Sequence, residues 1–507
     1  MSPSTFEDQS QSFLDWFRAW PGTTFHESIK IQDLRERGAG RGIVATADIP
    51  EDTVLFTIPR KAIISVESSE LSQKIPEVFE DSTTALEDAD NEADEEGGES
   101  SVTPDSWVSL ILVMIYEYLQ GDRSAWKPYL NVLPKEFNTL MFWSEGELAE
   151  LQASAITSKI GRDEAENMFR AKILPVIQAH ATVFYPEGAE RLGEEQLVTL
   201  CHCMGSTIMA YAFDLENDEE KPESEDDDEW IEDREGKIMM GMVPMADILN
   251  ADAEFNAHVN HGEDALTVTS LRPISAGQEI LNYYGPLANG ELLRRYGYVT
   301  DKHSRYDVVE ISWDLVLSVL KEALNFDEAA WGKVVREHTA PCQAQVSLNA
   351  RTNSSQIGQL DPEEIEDTFV LDRDMDEPDS TGQCHDELKL SKLPEDLEGQ
   401  ISAFLKAVRK VSPETVPDKQ RRNQMVLLVM KRAFELRASQ YPTSYVQDFN
   451  LLSHEKVTGR QKMAVAVRWG EKVLLKEAID FAQAKLDEID SNVEQPEQRA
   501  AKKQRTK

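Results

Sequence analysis

The chain has little cysteine, no membrane-length apolar run and far fewer basic than acidic residues. Four cysteines in 507 residues are too few for a disulfide framework, and they indicate a reducing compartment. The most apolar stretch, WVSLILVMIYEYL, is too short to cross a bilayer. The N-terminus has no basic segment followed by an apolar one, so we expect no secretory signal. These absences predict a soluble intracellular protein.

The charge balance excludes partners that are themselves strongly anionic. The sequence has 93 acidic and 52 basic residues, which gives a formal net charge of -41. Such a surface repels duplex DNA and anionic membranes and attracts basic proteins. We therefore expect a basic partner and no direct binding to nucleic acid or membrane. Acidic residues that serve only solubility explain the charge equally well, and nothing in the charge pattern specifies an oligomeric state.

Motifs for metals, phosphates and serine hydrolysis are incomplete. The CHC run at 201–203 lacks a second ligand pair at zinc spacing, and His258 and His261 have no convergent carboxylates or cysteines. The glycines of RGAGRG (37–42) precede a strand, whereas a dinucleotide fingerprint follows a strand and opens a helix. That loop is either a tight turn or a close backbone approach to a ligand. We expect no metal site, and the sequence has no G-x-S-x-G elbow.

Three acidic segments of low complexity divide the chain, at 87–100, 215–237 and, more loosely, 361–387. They carry too little apolar surface to offset the entropy of ordering. We therefore expect them to be disordered insertions in loops, which mark where folded segments end.

The remaining segments alternate between strand and helix patterns. GRGIVATADIPEDTVLFTIPR (40–60) predicts a β-hairpin around the polar turn IPEDT. Amphipathic helical patterns begin near residue 105, strand character returns between 239 and 284, and helices dominate after 305. The order predicts a β-rich unit that is split by helices and followed by a helical domain.

Several short motifs occur in an order typical of one enzyme family. They are the glycine loop, DILN at 247–250, NYYG at 282–285 and YGY at 296–298. Each alone is compatible with an ordinary turn or with core tyrosines. Together with the helical insert and the phrases MVPMADILN and VRWGEKVLL, they resemble the SET-domain protein lysine methyltransferases, in the Rubisco methyltransferase-like branch.

The resemblance implies an α+β fold in which a split SET β-fold contains a helical insert and an all-α substrate-binding domain follows. The expected boundaries are 20–105 for the N-terminal SET part with an acidic insertion at about 85–102, 106–235 for the insert with an acidic loop at 215–235, 236–300 for the C-terminal SET part, 305–490 for the helical domain with a loop at about 355–390, and 491–507 for a tail. The tail ends in AAKKQRTK, which predicts a nuclear location, with the cytoplasm as a second one.

The resemblance also implies S-adenosyl-L-methionine as cofactor and assigns the site residues. The catalytic residue is Tyr284; the cofactor-binding residues are Ala39, Gly40, Arg41, Tyr211, Asn250, Ala251 and Tyr296; the substrate-binding residues are Trp107, Ala212 and Asp214. Many relatives have histidine where this chain has Ala251, which predicts reduced cofactor affinity rather than lost activity. Some plant relatives have arginine at the position of Tyr211, so the cofactor carboxylate is expected to be bound differently here.

The implied reaction transfers a methyl group from a sulfonium to a lysine nitrogen. Only the neutral amine has the lone pair to attack, and the pKa of a free lysine is about 10.4. Tyrosines can form a rigid apolar channel that disfavours the ammonium form, with hydroxyls as directed dipoles. The expected substrate is a basic protein, namely a protein of the large ribosomal subunit or a histone tail. The alternative is a catalytically silent acidic protein that binds or chaperones such partners.

Overall fold

The computed structural model describes residues 5–79, 106–215, 239–349 and 367–504. The acidic segments expected at about 85–102 and 215–235 therefore lie outside the described residues, apart from Leu215. Within the described ranges, no helix is both long enough and apolar enough to span a membrane.

The described residues form twelve strands and sixteen α-helices. The strands are β1 (Thr24–Phe25), β2 (Ile29–Asp33), β3 (Arg41–Ala45), β4 (Val54–Pro59), β5 (Ala212–Asp214), β6 (Met240–Met242), β7 (Asn250–Ala251), β8 (Ala257–His261), β9 (Ala265–Ser270), β10 (Glu279–Asn282), β11 (Val309–Ser312) and β12 (Thr368–Leu371). The helices are α1 (Phe6–Ala19), α2 (Leu71–Lys74), α3 (Ser106–Gln120), α4 (Lys127–Val132), α5 (Glu145–Leu148), α6 (Arg162–Met168), α7 (Leu174–Ala179), α8 (Ala181–Phe184), α9 (Glu194–Tyr211), α10 (Asn289–Tyr296), α11 (Trp313–Leu324), α12 (Glu328–Asn349), α13 (Glu395–Val411), α14 (Lys419–Ser439), α15 (Tyr445–Leu452) and α16 (Gly459–Gln504).

Two four-stranded sheets form the β part, with strand orders β1-β4-β9-β8 and β2-β3-β10-β7. Neighbours within them are antiparallel except β7 and β10, which run parallel with Leu281 opposite Asn250. The central strand β10 therefore joins β3, from the start of the chain, to β7. The split β-fold with helices between its halves agrees with the predicted fold class.

The hairpin predicted at 40–60 is wrong. β3 pairs with β2 and β10, whereas β4 pairs with β1 and β9, so these two strands belong to different sheets. The intervening residues 46–53 cross from one sheet to the other, and Ile49 forms an isolated bridge with Ile274. Both strands satisfy their backbone hydrogen bonds with distant partners, which local alternation of residue types does not reveal.

Apolar packing separates an N-terminal part, which contains the two four-stranded sheets, from a C-terminal helical part. One cluster of buried side chains includes α3 and α9 together with the strands. A second includes β11, β12, α11, α13, α14 and part of α16. A third, smaller cluster joins the two parts and includes Trp143, Leu293 and Val467. The C-terminal part is mainly helical, as the sequence predicts, but it is not all-α because it contains the two-stranded sheet of β11 and β12.

The acidic segment expected to be disordered at 361–387 is ordered over its described residues, 367–387. β12 within it pairs with β11, and Phe369 and Leu371 alternate with exposed residues and are fully buried. Burial of two large apolar side chains contributes roughly 3–6 kcal/mol, which helps offset the ordering entropy of this acidic stretch. The prediction of disorder was wrong here because it weighed the acidic residues and overlooked this alternation.

Residues 372–387, which we call the strap, run from the end of β12 to the surface of the N-terminal part. The carboxylate of Asp379 accepts hydrogen bonds from the backbone of Thr381 and Gln383 and closes a turn. The backbone of Phe255 donates to the carbonyl of Gly382 at 3.0 Å. The strap thus links the C-terminal domain directly to the segment that follows β7.

We expect Gly382→Ala to destabilise the protein by about 1–3 kcal/mol. Gly382 has a φ of +72°, and an added Cβ lies 2.3 Å from the carbonyl oxygen of Phe255. Urea denaturation measures the change in unfolding free energy. Gly399→Ala is the matched control because Gly399 lies within α13 with no heavy atom within 4 Å of the added Cβ, and alanine favours a helix by about 1 kcal/mol. Equal denaturation midpoints for the two variants would contradict the strap contact.

Candidate active site

Two tyrosines stack where β10 and α10 end. The ring centroids of Tyr284 and Tyr296 are 4.3 Å apart with an interplanar angle of 13°. Gly285 and Gly297 follow them with φ values of 95° and 78°, so both turns use backbone conformations that favour glycine. The hydroxyl of Tyr284 donates to the carbonyl of Leu249 at 3.0 Å. The structure thus brings together the tyrosine–glycine pairs of the NYYG and YGY motifs.

The tyrosine hydroxyls of this region are neutral at physiological pH. Burial raises the pKa of Tyr284 well above its usual value and also raises that of Tyr296. Burial, with nearby Asp247 and Tyr296, raises the pKa of Tyr211 to about 12. These phenols therefore act as hydrogen-bonding groups rather than as bases.

A cavity of about 490 Å³ adjoins the tyrosine pair. Four of the expected cofactor residues line it: Gly40, Arg41, Tyr211 and Asn250. Ala39 precedes them in the same loop, and Ala251 follows Asn250 in β7, where it is buried. Residues from three distant segments of the chain thus converge on one cavity.

Asn250 is held rigidly at the edge of this cavity. Its side-chain nitrogen donates to the carbonyl of Arg41 at 3.2 Å and to Oε1 of Glu279 at 2.6 Å. Both amide protons are then used. The side-chain oxygen of Asn250 is left as the acceptor for a ligand.

The side chain of Arg41 has a structural role. Its guanidinium donates to Ser10 Oγ and to the carbonyl of Val132, both at 2.9 Å, and it lies 3.9 Å from the ring centre of Phe6. The loop that contains Arg41 is therefore fixed to α1 and α4. Phe6 and Gln9 of α1 also line the cavity, and no sequence motif indicated them.

A buried carboxyl group lies in the cavity wall. The hydroxyl of Tyr129 donates to Oδ2 of Asp247, while Oδ1 is buried and has no hydrogen-bond partner among the described residues. Burial raises the pKa of Asp247 to about 7. The sequence had suggested only a turn role for this aspartate, because its partner Tyr129 is 118 residues away.

The three expected substrate residues lie outside that cavity lining. Trp107 stacks on Phe169 and lies over Gly205, six residues before Tyr211 on α9. Ala212 and Asp214 are the two ends of β5, and Asp214 is exposed. Each is near Tyr211 along the chain or on an adjoining helix, but the structure does not gather them into one pocket.

A second opening, of about 320 Å³, is called here the groove. Its lining shares no residue with the cavity and includes an aromatic set, two imidazoles and the strap: Phe213, Phe255, Tyr283, His258, His261, Glu377 and Pro378. Phe255 and Tyr283 stack with ring centroids 4.7 Å apart. Tyr283 immediately precedes Tyr284, so the groove lies one residue along the chain from the tyrosine pair, and its lining is separate from that of the cavity.

Metal chemistry has no candidate site in the described ranges, where no group of three His, Cys, Asp or Glu side chains converges. In the CHC run, burial raises the pKa of Cys201 to about 12 and also raises that of Cys203. Both thiols are therefore protonated at neutral pH and are poor metal ligands.

Comparisons with known proteins agree with this geometry. The SET domain model matches residues 40–285, and the Rubisco LSMT substrate-binding model matches residues 368–475. Ribosomal lysine N-methyltransferase 4 of Saccharomyces cerevisiae is 32% identical over 325 residues, which are 62% of this chain and 60% of that protein. The chain thus aligns with only about three fifths of the length of that relative.

Two further matches extend over nearly the whole chain. N-lysine methyltransferase setd6 of Salmo salar is 25% identical over 488 residues, which are 94% of this chain and 96% of that protein. The crystal structure of the SET domain of LSMT bound to lysine and AdoHcy superposes with a TM-score of 0.58 and 18% identity, and the match covers 96% and 93% of the two chains. At that identity the superposition shows the shared fold alone.

We expect Asp247 to make stability depend on pH near neutrality. Its folded-state pKa of about 7 exceeds the usual value of about 3.9, so the stability that the protonated carboxyl contributes is lost as pH rises through 7. Asp247→Asn removes this titration. Between about pH 5 and pH 9 the free energy of unfolding should therefore fall by roughly 2–4 kcal/mol more in the wild type than in the variant. Denaturation at each pH measures this difference.

Tyr129→Phe tests the cause of that pH dependence. The hydroxyl of Tyr129 lowers the pKa of Asp247, so its removal should move the loss of stability to higher pH. Identical pH profiles for the wild type and Asp247→Asn would show that the carboxyl does not titrate in this range.

Proposed function

Because the chain belongs to the SET-domain proteins in which a Rubisco LSMT-type substrate-binding domain follows the SET domain, we propose that it is an S-adenosylmethionine-dependent protein-lysine N-methyltransferase. The stacked pair of Tyr284 and Tyr296 carries this proposal, since Tyr284 binds the backbone of Leu249 between two residues that line the cavity, Ile248 and Asn250. The domain boundaries and the residue roles that the family resemblance implies are parts of the same proposal.

The residues of the cavity fit S-adenosylmethionine, which supplies a methyl group on a positively charged sulfur. The loop 39–41 presents backbone groups, Asn250 retains a free oxygen, and the unpaired Oδ1 of Asp247 suits a cationic ligand. Tyr211 adds an aromatic wall close to these groups, whereas Tyr296 is outside the cavity lining. The cavity therefore offers both apolar surface and acceptors for positive charge.

The tyrosine pair is suited to receive a lysine side chain from the groove. While the hydroxyl of Tyr284 donates to Leu249, its lone pairs can accept a hydrogen bond from the lysine nitrogen and orient it. The buried rings disfavour the ammonium form, so the lysine proton leaves to solvent before attack. Holding nitrogen and methyl in line can supply up to about 7–11 kcal/mol of barrier reduction.

Ala251 lacks the side chain that many relatives use, yet its backbone is well supported. Its carbonyl accepts a hydrogen bond from the hydroxyl of Tyr298 at 3.0 Å, and β7 pairs it with Asn282. This support favours an active enzyme of reduced cofactor affinity over the silent binding protein.

The proposed substrate is a basic protein of the large ribosomal subunit. The net charge of -41 favours encounter with lysine-rich proteins, and the yeast relative is named as a ribosomal lysine methyltransferase. A histone tail satisfies the same charge argument and is the second choice. The basic C-terminal tail supports a nuclear location, where both kinds of protein are found.

We expect Tyr284→Phe to lower methyl transfer by about 10²-fold or more, the usual effect of removing a directed polar group from a reaction site. Labelled-methyl transfer into cell extract measures activity, and calorimetry with S-adenosylhomocysteine measures ligand binding, which should change little. Tyr185→Phe is the matched control, because its buried hydroxyl has no hydrogen-bond partner among the described residues. Equal labelling by the wild type and Tyr284→Phe would exclude Tyr284 as the catalytic residue, and a wild type that gives no heat would favour the silent binder.

We expect the label to appear in the large-subunit ribosomal fraction rather than in purified histones. Mass spectrometry of the labelled band identifies the protein and the modified lysine. Raising the ionic strength should slow transfer, since long-range attraction to an acidic enzyme is screened. Labelling of histones alone would replace the ribosomal proposal with the second choice.

A further inference from the structure

S-adenosylmethionine carries a carboxylate in addition to its ammonium and sulfonium. An acidic protein repels a carboxylate unless a local cation or N–H group offsets that repulsion. Tyr211 lines the cavity without contributing a positive charge. The cavity must therefore supply a cation or an N–H donor from another residue.

Two basic residues line the cavity, Arg41 and Lys135. The guanidinium of Arg41 is engaged by Ser10, Val132 and the ring of Phe6. It is half-buried, and burial lowers its pKa. Arg41 is thus committed to holding α1 against the loop.

Lys135 is in the opposite situation. It lies on the loop after α4, is exposed, and has no ion pair or hydrogen bond within the described part of the chain. By contrast, Lys127 at the start of α4 lies 3.8 Å from Asp122 and lines only a neighbouring cavity, whereas Lys135 lines both cavities. A lysine on a flexible four-carbon stem can follow an anionic group at the rim of a cavity.

We propose that Lys135 binds the carboxylate of the cofactor, an inference that rests on the proposed function. Glu136 and Asp247 are the carboxyl-bearing residues in the lining, and they suit the ammonium and the sulfonium. The cavity then has a partner for each of the three charges of the ligand. The ammonium of Lys135 replaces the guanidinium that a residue at position 211 does not provide.

The test compares two ligands that differ only in the carboxylate: S-adenosylmethionine and its decarboxylated form. Calorimetry should show that Lys135→Ala weakens binding of S-adenosylmethionine by about three- to tenfold, as expected for one partly exposed charge pair. Binding of the decarboxylated ligand should not change. Lys135→Arg should retain the affinity, Lys127→Ala is the matched control, and the difference should shrink at high salt.

Three outcomes overturn the inference, and they are distinguishable. If the wild type binds neither ligand, the proposed function itself fails. If the wild type binds S-adenosylmethionine and Lys135→Ala binds it equally well, only the role of Lys135 fails. If Lys135→Ala weakens both ligands by the same factor, the lysine acts on the shape of the loop and not on the carboxylate.

Discussion

The parallel pairing of β7 with β10 is the contact on which the site depends. It sets Asn250 opposite Leu281, so that the amide of Asn250 reaches the loop at Arg41 while the carbonyl of Leu249 receives the hydroxyl of Tyr284. β7 has only two residues and is weak alone. It is stable here because β10 is already fixed by β3, with Ile280 fully buried between the sheets.

The charge of this protein is concentrated on its surface, but some of it is built into the junction between the two parts. Asp448 is fully buried and accepts hydrogen bonds from Arg468 and Lys472 of α16, and Arg468 also binds the backbone of Glu150 in the insert. Loss of Asp448 would leave the buried ammonium of Lys472 without an ion-pair partner among the described residues, at a cost of about 3–5 kcal/mol. The junction therefore favours one fixed orientation of the helical domain, which also fixes the strap and the width of the groove.

The sequence predicted those features that depend on local patterns or on the order of motifs along the chain. The succession of the glycine loop, DILN, NYYG and YGY predicted which segments would converge, and helical periodicity predicted the C-terminal domain. What it missed depends on distant contacts: the sheet partners of β3 and β4, the link between Tyr129 and Asp247, and the contribution of α1 to the cavity. The order of β12 and of the strap that follows it was missed for a different reason. The acidic composition of this segment masked the apolar alternation of β12.

The order in which the strands emerge has a consequence for biosynthesis. Ile43 of β3 pairs with Ile280 of β10, so at about 5–20 residues per second the nascent chain waits roughly 12–47 s before β3 can meet β10. Throughout that interval the inner edge of β3 has unpaired backbone groups, which is the kind of surface that aggregates or recruits chaperones. A premature stop between the two halves should therefore release an insoluble fragment rather than a smaller folded protein.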